Sequence, residues 1–289
     1  ALKVREQKNA KSVKIIVMNP QNGELYAMVN VPEFNLNDPY TLLDEIADDY
    51  EGQNLSQEQI NVLLNGMWRN ACISDTYEPG SAFKIITAAA ALEDKVVKLT
   101  DAFFCPGYKK VEDRIIRCHK KGGHGSQNFI DGIKNSCNPV FMEIGARLGP
   151  ERTYYYYEKF GLFNKSGVDL PGEANSIMHK LEDIKPVELA TMSFGQSFQI
   201  TPLQLLRAVS AIVNGGTLVT PHFGVSIHSA DGSVVRELDY PVIENAVSKE
   251  TSETMKELLE AVVSDGTGKR AYLPGFRIAG KTATSEKLP

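Results

Sequence analysis

Met255, Leu258, Leu259, Val262 and Val263 fall at i, i+3, i+4, i+7 and i+8. That spacing is the apolar stripe of an amphipathic helix and predicts one over Ser248 to Asp265, packed on a sheet. Ile85, Ile86, Thr87 and the run from Ala88 to Leu92 are instead apolar almost all round, which predicts a buried helix. Strand-like runs sit near both ends. Ser12 to Met18 and Glu24 to Asn30 flank the turn Asn19-Pro20-Gln21-Asn22-Gly23 and read as a hairpin. Leu218 to Ser229 and Val234 to Leu238, parted by Ala230-Asp231-Gly232, read as a second hairpin, and Phe276-Arg277-Ile278 as a strand leading to Lys281. Between them, Asp38 to Trp68 is more polar and predicts short helices. From Tyr77 to about Gly215 the pattern is mainly helical, with Pro202 at a helix start and Gly215-Gly216 beyond its end. Strands near both termini around a helical middle predict an α/β fold: an α/β lobe from about 1–70 and 216–289, with an inserted all-helical lobe of about 71–215.

A length of 289 residues accommodates one large domain or two lobes sharing a cleft, with ample core. The net charge of −5 and the lack of a basic run give no hint of nucleic-acid binding. Ile85 to Leu92, the longest apolar stretch, is far too short to span a bilayer, and the charged start Ala1-Leu2-Lys3-Val4-Arg5-Glu6 is no signal peptide.

Ser81-Ala82-Phe83-Lys84 lies where the Pro79-Gly80 turn opens into the buried helix. Ser81 and Lys84, at i and i+3, share a helical face. A serine hydroxyl attacks poorly at neutral pH unless a base takes its proton, and a desolvated lysine with a lowered pKa serves as that base. Read alone, Ser-x-x-Lys is weak and a structural ion pair is the plain alternative. A lysine in the first turn of an otherwise apolar helix needs a reason, however. Two further segments supply one: Asn135-Ser136-Cys137-Asn138-Pro139, where a tight turn aims Ser136 and Asn138 into one cleft, and Ala279-Gly280-Lys281-Thr282-Ala283-Thr284.

Ser-x-x-Lys, then Ser-x-Asn, then Lys-Thr-x is the ordered set of penicillin-binding proteins and serine β-lactamases. The chain resembles, nearly end to end, the transpeptidase domain of the class B penicillin-binding proteins. The resemblance takes in Asn19 to Met28, Trp68-Arg69-Asn70 through Lys84, Gly122-Gly123-His124-Gly125, Phe194-Gly195-Gln196 and Thr201-Pro202-Leu203-Gln204. The Gly195-Gln196 and Thr201-Pro202 block favours a transpeptidase over a β-lactamase. The resemblance implies the penicillin-binding transpeptidase fold, an antiparallel sheet flanked by helices with the helical lobe inserted and the active site between lobes. It implies a peptidoglycan D,D-transpeptidase, in a division- or sporulation-specific role, at the extracytoplasmic face of the bacterial cell membrane. Its partners would be stem peptides ending in D-Ala-D-Ala, β-lactams and a membrane glycosyltransferase. The family also carries an N-terminal anchor and pedestal domain, and strands and a last helix after the Lys281 motif, none of which these residues include.

By the same resemblance Ser81 is the acylated nucleophile and Lys84 its base. Ser136 relays a proton to the leaving D-alanine, and Asn138 binds substrate backbone and steadies Lys84. Lys281 and Thr282 hold the terminal carboxylate, and the N–H groups of Ser81 and Thr284 form the oxyanion hole. Ala283 replaces the usual glycine of the third motif and is expected to slow acylation by bulky β-lactams. A D,D-carboxypeptidase or serine β-lactamase, and a non-catalytic β-lactam sensor or wall-assembly scaffold, are the other readings. No glutamate-based deacylation motif stands out.

Cys105, Cys118, His124 and Cys137 crowd a short region, and Cys137 sits inside the second motif. A disulfide is the plain reading for a protein outside the cytoplasm, and unliganded core thiols are another. Three thiols and an imidazole fit a structural tetrahedral Zn2+ better, and some class B relatives hold zinc at similar places. His119 is a rival ligand and Asp113 a weaker one. Cys72, Asn70, Trp68 and the run Tyr154 to Tyr157 read as packing residues, and His179, His222 and His228 as surface or core.

Overall fold

A computed structural model describes residues 1–285. Helix α1 (Leu2–Lys8) precedes β1 (Val13–Met18) and β2 (Leu25–Val31), which pair antiparallel from Val13↔Val31 to Met18↔Leu25. The turn between them is pinned by a distant segment: Leu25 N–H donates to the His222 carbonyl at 2.7 Å and His222 N–H to the Gly23 carbonyl at 3.0 Å. Gly23, at φ +91°, lies so close to the Thr220 carbonyl that a Cβ would overlap it. The Gly23–Leu25 turn is therefore joined to the Thr220–His222 segment through backbone.

The polar stretch holds α2 (Asp44–Ala47), α3 (Gln57–Met67) and α4 (Ala71–Ser74). Ser56 and Gln59 close a capping box on α3, so its start is fixed by local chemistry. A 3₁₀ turn at Gly80–Phe83 then leads into α5 (Lys84–Glu93), buried from Lys84 to Ala91 as its pattern predicts.

The middle of the chain departs from the all-helical expectation. It contains β3 (Ala102–Cys105), β4 (Tyr108–Val111), β5 (Arg114–Arg117) and β6 (Gly125–Asn128). The β4–β5 hairpin is nested inside the β3–β6 pair. Each strand has four residues, too few to display alternation, and sequences such as YKKV and GSQN carry little apolar signal. Their partners stabilise them, and pairing is not a property of a short window.

Helices α6 (Phe129–Lys134), α7 (Asn138–Lys159), α8 (Pro186–Met192) and α9 (Pro202–Val213) follow. Pro139 opens α7, and Gly149-Pro150 breaks it, with Gly149 at φ +77°. Thr201 and Gln204 cap α9 reciprocally, and Pro202 stands at its start as predicted. The second hairpin is β7 (Ser226–His228) with β8 (Val234–Glu237). Helix α10 (Lys249–Asp265) begins after the cap Ser248 and buries Met255, Leu258, Leu259, Val262 and Val263. Burial of each such side chain contributes about 1.5–3 kcal/mol. Among the described residues the strands form four two-stranded ladders rather than one continuous sheet.

Phe276-Arg277-Ile278 is not a strand. The segment runs over α10, with Gly280 N–H on the Leu259 carbonyl at 3.1 Å, and no ladder partner lies beside it among the described residues. A strand is defined by its neighbour, and Phe276 stays exposed.

Candidate active site

Ser81 sits in the 3₁₀ turn before α5, held by two glycines. Gly80, at φ +55°, donates its N–H to the Gly195 carbonyl at 2.9 Å; Gly195, at φ +88°, is pressed so tightly on Gly80 backbone that it tolerates no side chain, and a Cβ on Gly80 would overlap the Thr284 carbonyl. In a 3₁₀ turn residues i and i+3 eclipse, so the Lys84 side chain is brought directly to Ser81. Lys84 Nζ donates to Ser81 Oγ at 3.0 Å, to the Ser136 carbonyl at 2.7 Å, to Ser136 Oγ at 3.2 Å and to Asn138 Oδ1 at 2.7 Å. It is 1% exposed. Burial pushes its pKa down to about 7, with the positive charge of Lys281 adding to the fall while the nearby sulfurs of Cys137 and Cys118 oppose it. An amine so placed is neutral in a large fraction of molecules near pH 7, with a lone pair able to take the Ser81 proton.

Ser136 adopts φ +51°, the left-handed region that non-glycine residues seldom occupy. That turn places its hydroxyl between two lysines, since Lys281 Nζ donates to Ser136 Oγ at 2.8 Å. Lys281 also donates to the Thr282 carbonyl at 2.9 Å, and burial lowers its pKa to about 8. Thr282 Oγ1 donates to Thr267 Oγ1 at 3.0 Å, and Thr267 N–H to the Lys134 carbonyl at 3.1 Å, which ties this wall to the end of α6. The Thr284 carbonyl lies against Gly80, next to Ser81. Ser81, Ser136, Asn138, Thr282, Ala283 and Thr284 line one cleft of about 810 Å³. The seven residues singled out for chemistry thus come together although three separate stretches carry them, and Ala283 is exposed on the cleft wall.

Cys105, Cys118, His124 and Cys137 are also gathered, their ligand atoms all within 4.8 Å of one another. None of the four cysteines of the chain is in a disulfide. Cys118 Sγ stands 3.6 Å from His124 Nδ1 and 3.9 Å from His119 Nδ1. His119 lines the active-site cleft instead of joining the cluster, and Asp113 is largely exposed at the β4–β5 tip beside Arg114. The Cys137 thiol donates to Cys118, which pulls Cys118 down to about 4 and drives Cys137 far up. Cys72 is remote, buried and raised to about 11 by that burial, consistent with packing. His222 is buried against Tyr240, and His228 is on the surface.

A sequence profile described as the penicillin binding protein transpeptidase domain matches residues 13–289. The chain belongs to the penicillin binding protein transpeptidase domain family. Stage V sporulation protein D of Bacillus subtilis is 42% identical over 275 residues, covering 94% of this chain and 40% of that protein. Penicillin-binding protein PbpB of Mycobacterium tuberculosis is 29% identical, covering 99% of this chain and 40% of that one. The chain therefore spans about two fifths of these relatives. Among solved structures, the D,D-transpeptidase domain of a peptidoglycan glycosyltransferase from Eggerthella lenta superposes with a TM-score of 0.84 at 29% identity, over 99% of this chain and 69% of that one. Penicillin binding protein 3 of M. tuberculosis complexed with aztreonam gives 0.83 at 27% identity, over 99% and 61%. The transpeptidase-domain fold is thereby established.

Sequence reasoning left out several residues that shape this transpeptidase-domain cleft: Gly80, Thr267, Arg114 and Arg117. Gly80 was visible only as part of a turn. Thr267 and the arginines carry no motif of their own and enter the site through tertiary packing.

Proposed function

We propose that the chain is the catalytic domain of a peptidoglycan D,D-transpeptidase acting outside the cytoplasm, with Ser81 as nucleophile. The observation that carries this is the buried Lys84 amine at 3.0 Å from Ser81 Oγ. Neutral Lys84 takes the hydroxyl proton as Oγ attacks the carbonyl carbon of the terminal D-Ala-D-Ala bond. Ser81 and Thr284 N–H groups stabilise the oxyanion. Its collapse breaks the C–N bond, and the departing D-alanine amine receives the proton through Ser136. The amine of a second stem peptide then attacks the Ser81 ester, loses a proton to Lys84 and forms the cross-link. Lys281 and Thr282 hold the donor's terminal carboxylate, and Asn138 keeps Lys84 in place. β-Lactams enter as acylating analogues of the donor. A membrane glycosyltransferase is the natural polymerising partner, supplying strands to be cross-linked.

Two lysines with opposite requirements make acylation a pH-dependent rate. Lys84 acts only when neutral, so the second-order rate of acylation by a penicillin rises as pH passes about 7. Lys281 binds carboxylate only when charged, so the rate falls above about 8. A narrow bell with limbs near those values is expected in a stopped-flow pH series. A profile flat from pH 6 to 9 would remove Lys84 from the role of base.

Ala283 crowds the wall where the donor docks and slows bulky β-lactams. Ala283→Gly raises their acylation rates severalfold more than that of a small penicillin. Equal rates across such a panel, before and after substitution, would sink this effect.

The Cys105, Cys118, His124 and Cys137 cluster fits a structural Zn2+. Thiolate and imidazole are its preferred donors, and four ligands about 3.8 Å apart are what Zn–S bonds of about 2.3 Å require of a tetrahedron. The ion would neutralise thiolate charge, here already developed on Cys118. This chain's own residues do the rest: Cys137 connects Ser136 to Asn138, so fixing its sulfur fixes the turn that carries both.

A further inference from the structure

Glu78 lies shortly before the nucleophile and does not line the cleft. Both oxygens of its carboxylate are nevertheless used, and by neutral donors rather than a cation. Oε1 accepts the Ser197 N–H at 2.8 Å, and Oε2 accepts the Ser285 hydroxyl at 3.3 Å. These donors lie 119 and 207 positions away along the chain. The carboxylate therefore joins three stretches that local chemistry does not bring together: the turn before Ser81, the loop after α8 and the end of the Lys281 segment.

The first of these junctions is stiff. Thr76 Oγ1 donates to Gln199 Oε1 at 2.8 Å, and Tyr77 and Ile200 exchange backbone hydrogen bonds of 3.0 and 3.1 Å. Ser197, at φ +66°, has its hydroxyl 2.7 Å from Thr191 Oγ1 on the cleft wall. The second junction rests on side chains. Beyond the Gly280 N–H on the Leu259 carbonyl, no backbone-to-backbone hydrogen bond holds Lys281 to Ser285 among the described residues. That segment is fixed by Lys281 on Ser136, Thr282 on Thr267 and Ser285 on Glu78. Thr284 stands between the last two anchors, with its carbonyl against Gly80. A hydrogen bond to a carboxylate is about twice as strong as one between neutral groups, which suits Glu78 to the task. An oxyanion donor is effective only when it is aimed at the position where charge develops, so the aim of the Thr284 N–H depends on the anchor at its far side.

Resting on the transpeptidase reading, we infer that Glu78 is a positioning residue for the oxyanion hole: it holds Ser285 to the rigid nucleophile turn and thereby sets the Thr284 N–H relative to Ser81 Oγ. Because Glu78 lies outside the cleft lining, it acts on the bond-making step rather than on encounter.

The test separates the two steps with a small penicillin in stopped flow, reading the Kd of the initial complex and the first-order rate of acylation. Glu78→Ala is expected to lower that rate about 30-fold with Kd within about twofold, short of the roughly 10²- to 10³-fold that loss of an oxyanion donor costs. Glu78→Gln should recover most of the rate, because its amide oxygen takes the Ser197 N–H and its NH₂ meets the Ser285 hydroxyl. Ser285→Ala, at an exposed position, should cost about fivefold in the unsubstituted chain and nothing further beside Glu78→Ala. The carbonyl stretch of the acyl-enzyme should move to higher frequency in both alanine variants, as the hole polarises it less. Ser285→Ala carries the test if Glu78→Ala does not fold. An unchanged rate or an unmoved carbonyl band in Ser285→Ala, losses that add in the double variant, or an effect confined to Kd overturns the proposal. No acylation of the unsubstituted chain would instead overturn the transpeptidase reading.

Discussion

Ser81→Ala abolishes the covalent adduct that a penicillin forms with this chain, and Lys84→Met lowers the acylation rate by a factor on the order of 10³ while leaving the serine in place. The two losses have different origins. The first removes the atom that bonds to the acyl group. The second removes the amine that lies 3.0 Å from Ser81 Oγ and also leaves the Ser136 carbonyl and Asn138 Oδ1 without their donor. Intact mass spectrometry followed over hours separates them, since Lys84→Met should still accumulate adduct slowly. A persistent adduct on Ser81→Ala would place the nucleophile elsewhere. No adduct on the unsubstituted chain would move weight to the scaffold role.

Metal removal is the second large effect. Protein purified without chelator is expected to contain one zinc per chain by elemental analysis, and stripping it should destabilise the fold by about 5 kcal/mol, or roughly 10 °C in Tm. Acylation should slow as well, because the Ser136 to Asn138 turn loses the anchor at Cys137. Three of the four ligands are buried, at 1%, 4% and 0% exposure for Cys105, Cys118 and Cys137. A core containing three thiols without a metal would retain only their weak hydrogen bonds. Thiol alkylation supplies a second reading: these cysteines should resist it until the chelator is added. Substoichiometric zinc together with a Cys–Cys bond in the peptide map would defeat the proposal.

The chemistry was more legible in the sequence than the architecture. Ser81 and Lys84 could be paired from spacing alone, because helical and 3₁₀ turns both bring i and i+3 together. Helix α10 was equally plain, its five buried apolar residues repeating over more than two turns. The four short strands between Ala102 and Asn128 were not, and neither was the irregular course of Phe276 to Ile278. In both places the outcome depends on whether a partner strand lies alongside.

Legible without the fold were the helix from Ser248 with its long periodic face, the helix start at Pro202, and the three motifs that carry the reactive groups. These are local matters, decided by side chains within a few residues of one another. Only the tertiary structure decided that Lys281 reaches Ser136 across 145 positions, that Gly195 locks the turn before Ser81, and that His124 rather than His119 completes the thiol cluster. It also set the depressed pKa of Lys84. Burial and the charge of Lys281 produce that shift, and both come from chain segments that a sequence window around Lys84 does not contain.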